Sequence, residues 1–228
     1  MSDGALRQQA WHFVVEDLVV GFNVAVLAYS DELTRLDLRN PIDDCARADA
    51  MVEALFPRTP YVENGHVNLM YGGFPERGLL NVASFEGGDL VATRDARLYN
   101  PSKLHHRYLK AARGRTVLLL TQRSFNDMFA FARWENGQLI RSISVNPVGG
   151  VWEDIGPPEK FEVPLWRGDH AVEGAYPLPF HPLEFSGVFL RSVLGLLYEG
   201  PPNPALTFPD EVRLRAYTPR RVSGSDRA

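Results

Sequence analysis

Cysteine is almost missing from this chain: Cys45 is the single one in 228 residues. That excludes an intrachain disulfide framework and a cysteine-rich zinc cluster. Lysine is nearly as scarce, since Lys103, Lys110 and Lys160 stand beside 21 arginines. No sign of charge dominates, because 24 basic residues face 28 acidic ones for a net charge of −4. A surface built throughout for nucleic acid is thereby excluded, while a local basic patch is not. Nor is there a run approaching the ~20 apolar residues that a membrane helix requires, and mean hydropathy is −0.19. Trp11 to Val20 is largely apolar, but Glu16 and Asp17 interrupt it and no small-residue cleavage site follows, so no secretory leader is expected. A cytoplasmic protein without a membrane partner is the expectation.

Catalytic signatures are missing as well. The chain has no GxSxG elbow, no GxxxxGK[ST] phosphate loop and no GxGxxG after a strand. The paired glycines Gly72-Gly73 and Gly87-Gly88 read as turns. No cofactor is implied.

What remains is 45% hydrophobic, 11% aromatic and 23% charged, a composition suited to one globular domain. A chain of this length buries about 70% of the surface its unfolded form exposes, so it needs no staple to fold. Asn23 to Tyr29 (NVAVLAY) reads as a strand buried on both faces. Asp43 and Asp44 start an amphipathic helix through Ala48, Met51, Val52 and Leu55 to Pro57. Residues 58–88 read as loops and short strands, and Asp89 to Thr93 as another strand. Asn100 followed by Pro101 and a stop at Gly114 predicts a helix over 101–113. Thr116 to Thr121 is a second buried strand. Asp127 to Trp134 and Gln138 to Val145 form a hairpin about Asn136-Gly137, since a type I′ turn needs positive φ twice. Val151 to Ile155 and Phe161 to Val163 read as short strands, Pro182 to Leu197 as a deep core helix and Val212 to Tyr217 as an edge strand. Residues 5–20 read as a short helix or strand. The expected fold is α+β: a single domain over 23–218, with a mixed sheet, a prominent antiparallel hairpin and two or three packed helices. An extension (1–22) precedes it and a flexible tail (219–228) follows.

The blocks FAFARWENGQLIRSISVNP (Phe129 to Pro147), WEDIG (Trp152 to Gly156), FEVPLW (Phe161 to Trp166) and YPLPFHPLEF (Tyr176 to Phe185) carry a resemblance. In their order they resemble an actinobacterial family known only as a domain of unknown function, with the likeness running from about Val24 to Tyr217. The segment before the first strand departs from that pattern. The resemblance implies membership and no activity, cofactor or site residue.

Chemistry must then be sought in constellations. Asp127, Arg141, Glu153 and Asp154 gather around the hairpin. Arg141 lies on the alternating face between Leu139 and Ile143, where it needs a carboxylate such as Asp127 or Glu153, or a ligand anion. His170 and His181 flank a proline-rich segment near Asp169, Glu173 and Glu184. They lack HExxH-type spacing, so His181 reads as the cap of the following helix and no metal is expected. Cys45 sits at a helix start that favours a thiolate, but Asp43 and Asp44 oppose it. Lys103, His106, Arg107, Lys110 and Arg113 recur at helical spacing with no acidic residue between Pro101 and Arg115, a basic stripe opposite Leu104, Tyr108 and Ala111. Of the four tryptophans, Trp134 at the hairpin turn is expected to be exposed. Two function classes follow. The favoured one is a non-catalytic binding or regulatory module acting through a protein partner, with the stripe and Trp134 as its surface and nucleic acid disfavoured by the negative net charge. The alternative is a small-molecule hydrolase using Asp127, Arg141 and Asp154 with His170 or His181.

Overall fold

A strand that packs on both faces must be apolar at successive positions, because its side chains alternate across the sheet. β1, Val24–Ser30, meets that requirement with all seven residues buried. A computed structural model describes residues 22–31, 36, 38–95 and 99–220. The readings for residues 5–20 and for the tail beyond 220 lie outside them.

β1 is the middle strand of nine. The others are β2 (Tyr61–Asn68), β3 (Leu80–Phe85), β4 (Gly88–Ala92), β5 (Thr116–Arg123), β6 (Met128–Glu135), β7 (Gln138–Asn146), β8 (Gly150–Ile155) and β9 (Arg213–Pro219). They lie in the order β2-β9-β3-β4-β1-β5-β6-β7-β8, and every neighbouring pair is antiparallel. Helical segments among the described residues are α1 (Cys45–Leu55), α2 (Leu69–Gly72), α3 (His106–Ala111), α4 (Val163–Trp166) and α5 (Pro182–Phe189).

This corrects the expected fold class. The sheet is antiparallel throughout rather than mixed, and it dominates, with helices of at most 11 residues among the described residues. The physical reason lies in the connections: tight turns such as Glu86-Gly87 and Asn136-Gly137 join neighbouring strands, and parallel pairing would need a crossover of a dozen or more residues. Two expected helices are also shorter. Over 101–113, a 3₁₀ turn at Pro101–Lys103 gives way to extended backbone at Leu104 (ψ 136°) and His105 (ψ 133°), after which α3 begins. Asn100 makes no side-chain cap; His105 Nδ1 instead accepts the Arg107 N–H at 3.2 Å. Burial of the Leu104 side chain holds the break. The segment after Pro182 is α-helical for eight residues, passes into a π-turn at Leu190–Leu194 and stops at Gly195 with φ 66°. Residues 161–163 lead into α4 rather than forming a strand. β9 is interior, between β2 and β3.

Other elements match the sequence. α1 is capped by Asp44, whose side chain accepts the Arg47 N–H. Asn136 (φ 49°) and Gly137 (φ 77°) make the hairpin turn between β6 and β7. The sheet buries both faces. On one, Val26, Phe129, Phe131, Ile143 and Val145 pack beneath α5 and the chain leading to it. On the other, Leu27, Val91, Leu119 and Trp134 pack beneath α1 and α3. Each outer strand carries an irregularity: β2 between Glu63 and His66, and β8 opposite Ser144 and Val145.

Candidate functional site

Arg141 is buried on β7 and its guanidinium is occupied by protein groups. Nε and Nη2 donate to the two Glu162 carboxylate oxygens at 2.9 and 2.7 Å. Nη1 donates to Asp154 and, at 3.1 Å, to the carbonyls of Ile155 and Gly156. Burial works against its charge, but the Glu162 and Asp154 bonds outweigh that and hold the pKa above the ordinary arginine value. Its carboxylates are thus Glu162 and Asp154, not the expected Asp127 or Glu153. Glu153 instead accepts the Ser102 N–H at 2.9 Å, the Ser102 hydroxyl at 2.5 Å and the Ser142 hydroxyl.

The remaining hydrolase candidates lie elsewhere. His181 caps α5, its Nδ1 accepting the Leu183 N–H at 3.3 Å, and its Nε2 is 3.7 Å from Asp127. His170 pairs with Glu184 at 2.6 Å. Register sets Arg141 against Arg133, six positions along β6 from Asp127, which at strand rise is about 20 Å. Asp127 with His181 and Arg141 with Asp154 are therefore two separate pairs. Among the described residues no group of three or more His, Cys, Asp or Glu is arranged to hold a metal ion.

The basic stripe is divided by the break at Leu104. Lys103 belongs to the 3₁₀ turn, His106, Arg107 and Lys110 to α3, and Arg113 to a left-handed position beyond it (φ 53°). Lys103, His106, Lys110 and Arg113 are exposed, whereas Arg107 lies over the Phe56 ring at 4.9 Å. Trp134 is 2% exposed, contrary to expectation. It sits on interior strand β6 opposite Val117 of β5, so proximity to a turn does not bring it to solvent. A cleft of about 110 Å³ lies between the start of α1 and β9, where Arg215 is held by Glu63 and Asp43. It is smaller than the ~300 Å³ at which ligand pockets begin.

A different group stands out at the end of the sheet where β1 begins. Ala25 N–H bonds Gly73 C=O at 2.8 Å and Thr93 N–H bonds Ala25 C=O at 2.9 Å, while Val24 pairs with Gln122. The residues that follow these positions, Phe74, Arg94 and Arg123, consequently meet. The guanidinium carbons of Arg94 and Arg123 lie 4.3 and 5.1 Å from the Phe74 ring centre, and Arg123 is also 5.9 Å from the Phe125 ring. Arg47, Arg115, Arg133, Arg141 and Arg215 each meet a carboxylate. Arg77, Arg94 and Arg123 form no such ion pair among the described residues, and Arg123 Nε is buried without a hydrogen-bond partner. Asp95, beside Arg94, is engaged by the Tyr108 hydroxyl at 2.9 Å. Burial pushes the Arg123 pKa down; Tyr99 opposes this, and the like charges of Arg94 and Arg77 add to it. Phe125 is 74% exposed, and Tyr99 and Trp152, in edge contact at 5.1 Å, are about half exposed.

Sequence reasoning missed this cluster because its arginines are spread over Arg77 to Arg123. One signal was available: no acidic residue lies between Gly114 and Asn126, a stretch that ends in Arg123 and Phe125.

No helix of the described residues is long and apolar enough to cross a membrane. A family model described as a family of unknown function (DUF6928) matches residues 24–217. No curated protein and no solved structure matches the chain.

Proposed function

The chain belongs to the DUF6928 family, and we propose that it serves as a non-catalytic binding module whose ligand is an anion held by Arg94 and Arg123. The observation that carries this reading is the stacking of both guanidinium groups on Phe74 with no carboxylate paired to either among the described residues. Like charges gathered with no counter-ion among the described residues raise the local positive potential, which an arriving anion relieves. Arginine also presents planar donors suited to carboxylate or phosphate oxygens. The burial of Trp134 removes the aromatic half of a partner face around α3. The reading therefore rests on the sheet end. The separation of Asp127 and His181 from Arg141 and Asp154 supports a binding role over a hydrolytic one.

Isothermal titration with sodium tripolyphosphate tests it. The protein should bind this anion, and binding should weaken as salt rises because exposed charges are screened over about 8 Å at physiological ionic strength. Arg94→Gln combined with Arg123→Gln should abolish binding, whereas Arg107→Glu combined with Lys110→Glu should leave it unchanged. Absence of binding by the wild-type protein, or equal binding by the Arg94/Arg123 variant, overturns the reading.

A further inference from the structure

Exposed aromatic surface beside the arginines narrows the ligand. Phe125 follows Arg123 by two residues, leaves 74% of its surface in water and lies 5.9 Å from the Arg123 guanidinium. A phenylalanine in that state contributes little to folding, since burial of its apolar area is what would stabilise the protein. The nearby Phe129, by contrast, is fully buried against Phe185. The sheet end thus offers, at one place, a flat ring and cations that meet no carboxylate among the described residues.

We propose that the ligand is a nucleoside phosphate, with its phosphate oxygens on Arg94 and Arg123 and its base stacked on Phe125. The inference rests on the anion-binding reading above. A single compact anion such as inorganic phosphate would use the guanidinium groups and leave the ring idle. A purely apolar ligand would leave the cations unpaired. A ligand carrying both a delocalised ring and phosphate charge satisfies both, because every base has a π-face that stacks on an aromatic side chain and arginine contributes a cation–π contact of its own. Register brings Trp152 to the same end: β8 pairs Val151 with Val145, β6 pairs Phe129 with Val145, and β5 pairs Gln122 with Phe129. The Tyr99–Trp152 pair is a second exposed platform at this end.

The experiment compares ATP with tripolyphosphate by titration calorimetry in the absence of divalent cations, on the wild-type protein and on Phe125→Ala. ATP should bind about tenfold more tightly than tripolyphosphate, the order that one base–aromatic stack supplies. Phe125→Ala should erase that advantage while leaving tripolyphosphate binding intact. Because the ring is exposed, the variant should keep the wild-type melting temperature, and an unchanged melting curve verifies this. Equal affinity for ATP and tripolyphosphate, insensitive to Phe125→Ala, overturns the nucleoside assignment and leaves the anion reading standing. Binding of neither overturns both. A hexauridylate strand that binds far more tightly than ATP, and loses affinity on Trp152→Ala as well as on Phe125→Ala, replaces the mononucleotide with a single-stranded nucleic acid.

Discussion

Glu162 places both carboxylate oxygens on the Arg141 guanidinium, at 2.9 and 2.7 Å, where neither side chain exposes more than 1% of its surface. The same carboxylate accepts the Glu159 N–H at 2.9 Å and the Trp166 indole N–H at 3.2 Å. It thereby ties the segment before α4 to β7. An ion pair this deeply buried recovers little net stability over a well-packed apolar pair, because desolvation offsets most of the attraction. Its value appears when one partner is removed.

Glu162→Ala should therefore destabilise the protein by about 3–5 kcal/mol, since the Arg141 charge would remain buried with Asp154 as its one carboxylate partner among the described residues. Urea unfolding measures the loss. The double replacement of Arg141 and Glu162 by Met should recover a large part of it. A single-variant loss below about 1 kcal/mol would show that water reaches the pair.

Gly137→Val should lower stability by about 1–3 kcal/mol, because φ of 77° is a left-handed conformation that a β-branched residue resists. Nothing lies within 4 Å of a Cβ added there, so the expected loss is conformational rather than steric. A melting temperature equal to that of the wild-type protein would count against the hairpin turn.

Asp89 is 3% exposed and accepts from the Ser84 hydroxyl at 2.8 Å, Arg47 Nε at 3.1 Å and Arg115 Nη1 at 2.6 Å. Asp89→Asn should cost about 2 kcal/mol, the scale of charge-assisted hydrogen bonds. Chemical denaturation with and without added salt checks it. A loss that vanishes at high salt would mean the three groups are screened as surface charges are.

The elements legible in the sequence were those specified locally. β1 announces itself by an apolar run, α1 by the Asp44 cap and helical spacing, and the hairpin by Asn136-Gly137. What stayed hidden depended on partners distant in sequence. Glu162 reaches Arg141 from 21 residues away, so the arginine's need for a carboxylate was readable but the carboxylate was not. Trp134 looked exposed from its nearness to a turn, yet it lies on the sheet face that α1 and α3 cover. The break at Leu104 and the interior place of β9 likewise follow from packing. Arg94 and Arg123 become neighbours only through the pairing of β4, β1 and β5.

The position of β9 also sets a timetable. Among the described strands β2 pairs only with β9, and β3 reaches β2 only through it. During synthesis the seven strands β1 and β3 to β8 can pair before β9 is made, while β2, translated early, waits for a partner more than a hundred residues downstream. In that interval the apolar edge of β3, with Leu80 and Val82, stands open to any other strand it meets. Long-range closures of this kind are slow because loop entropy is lost before contacts return it. The vulnerable period in the life of this protein is thus the wait for one seven-residue strand to fill its slot.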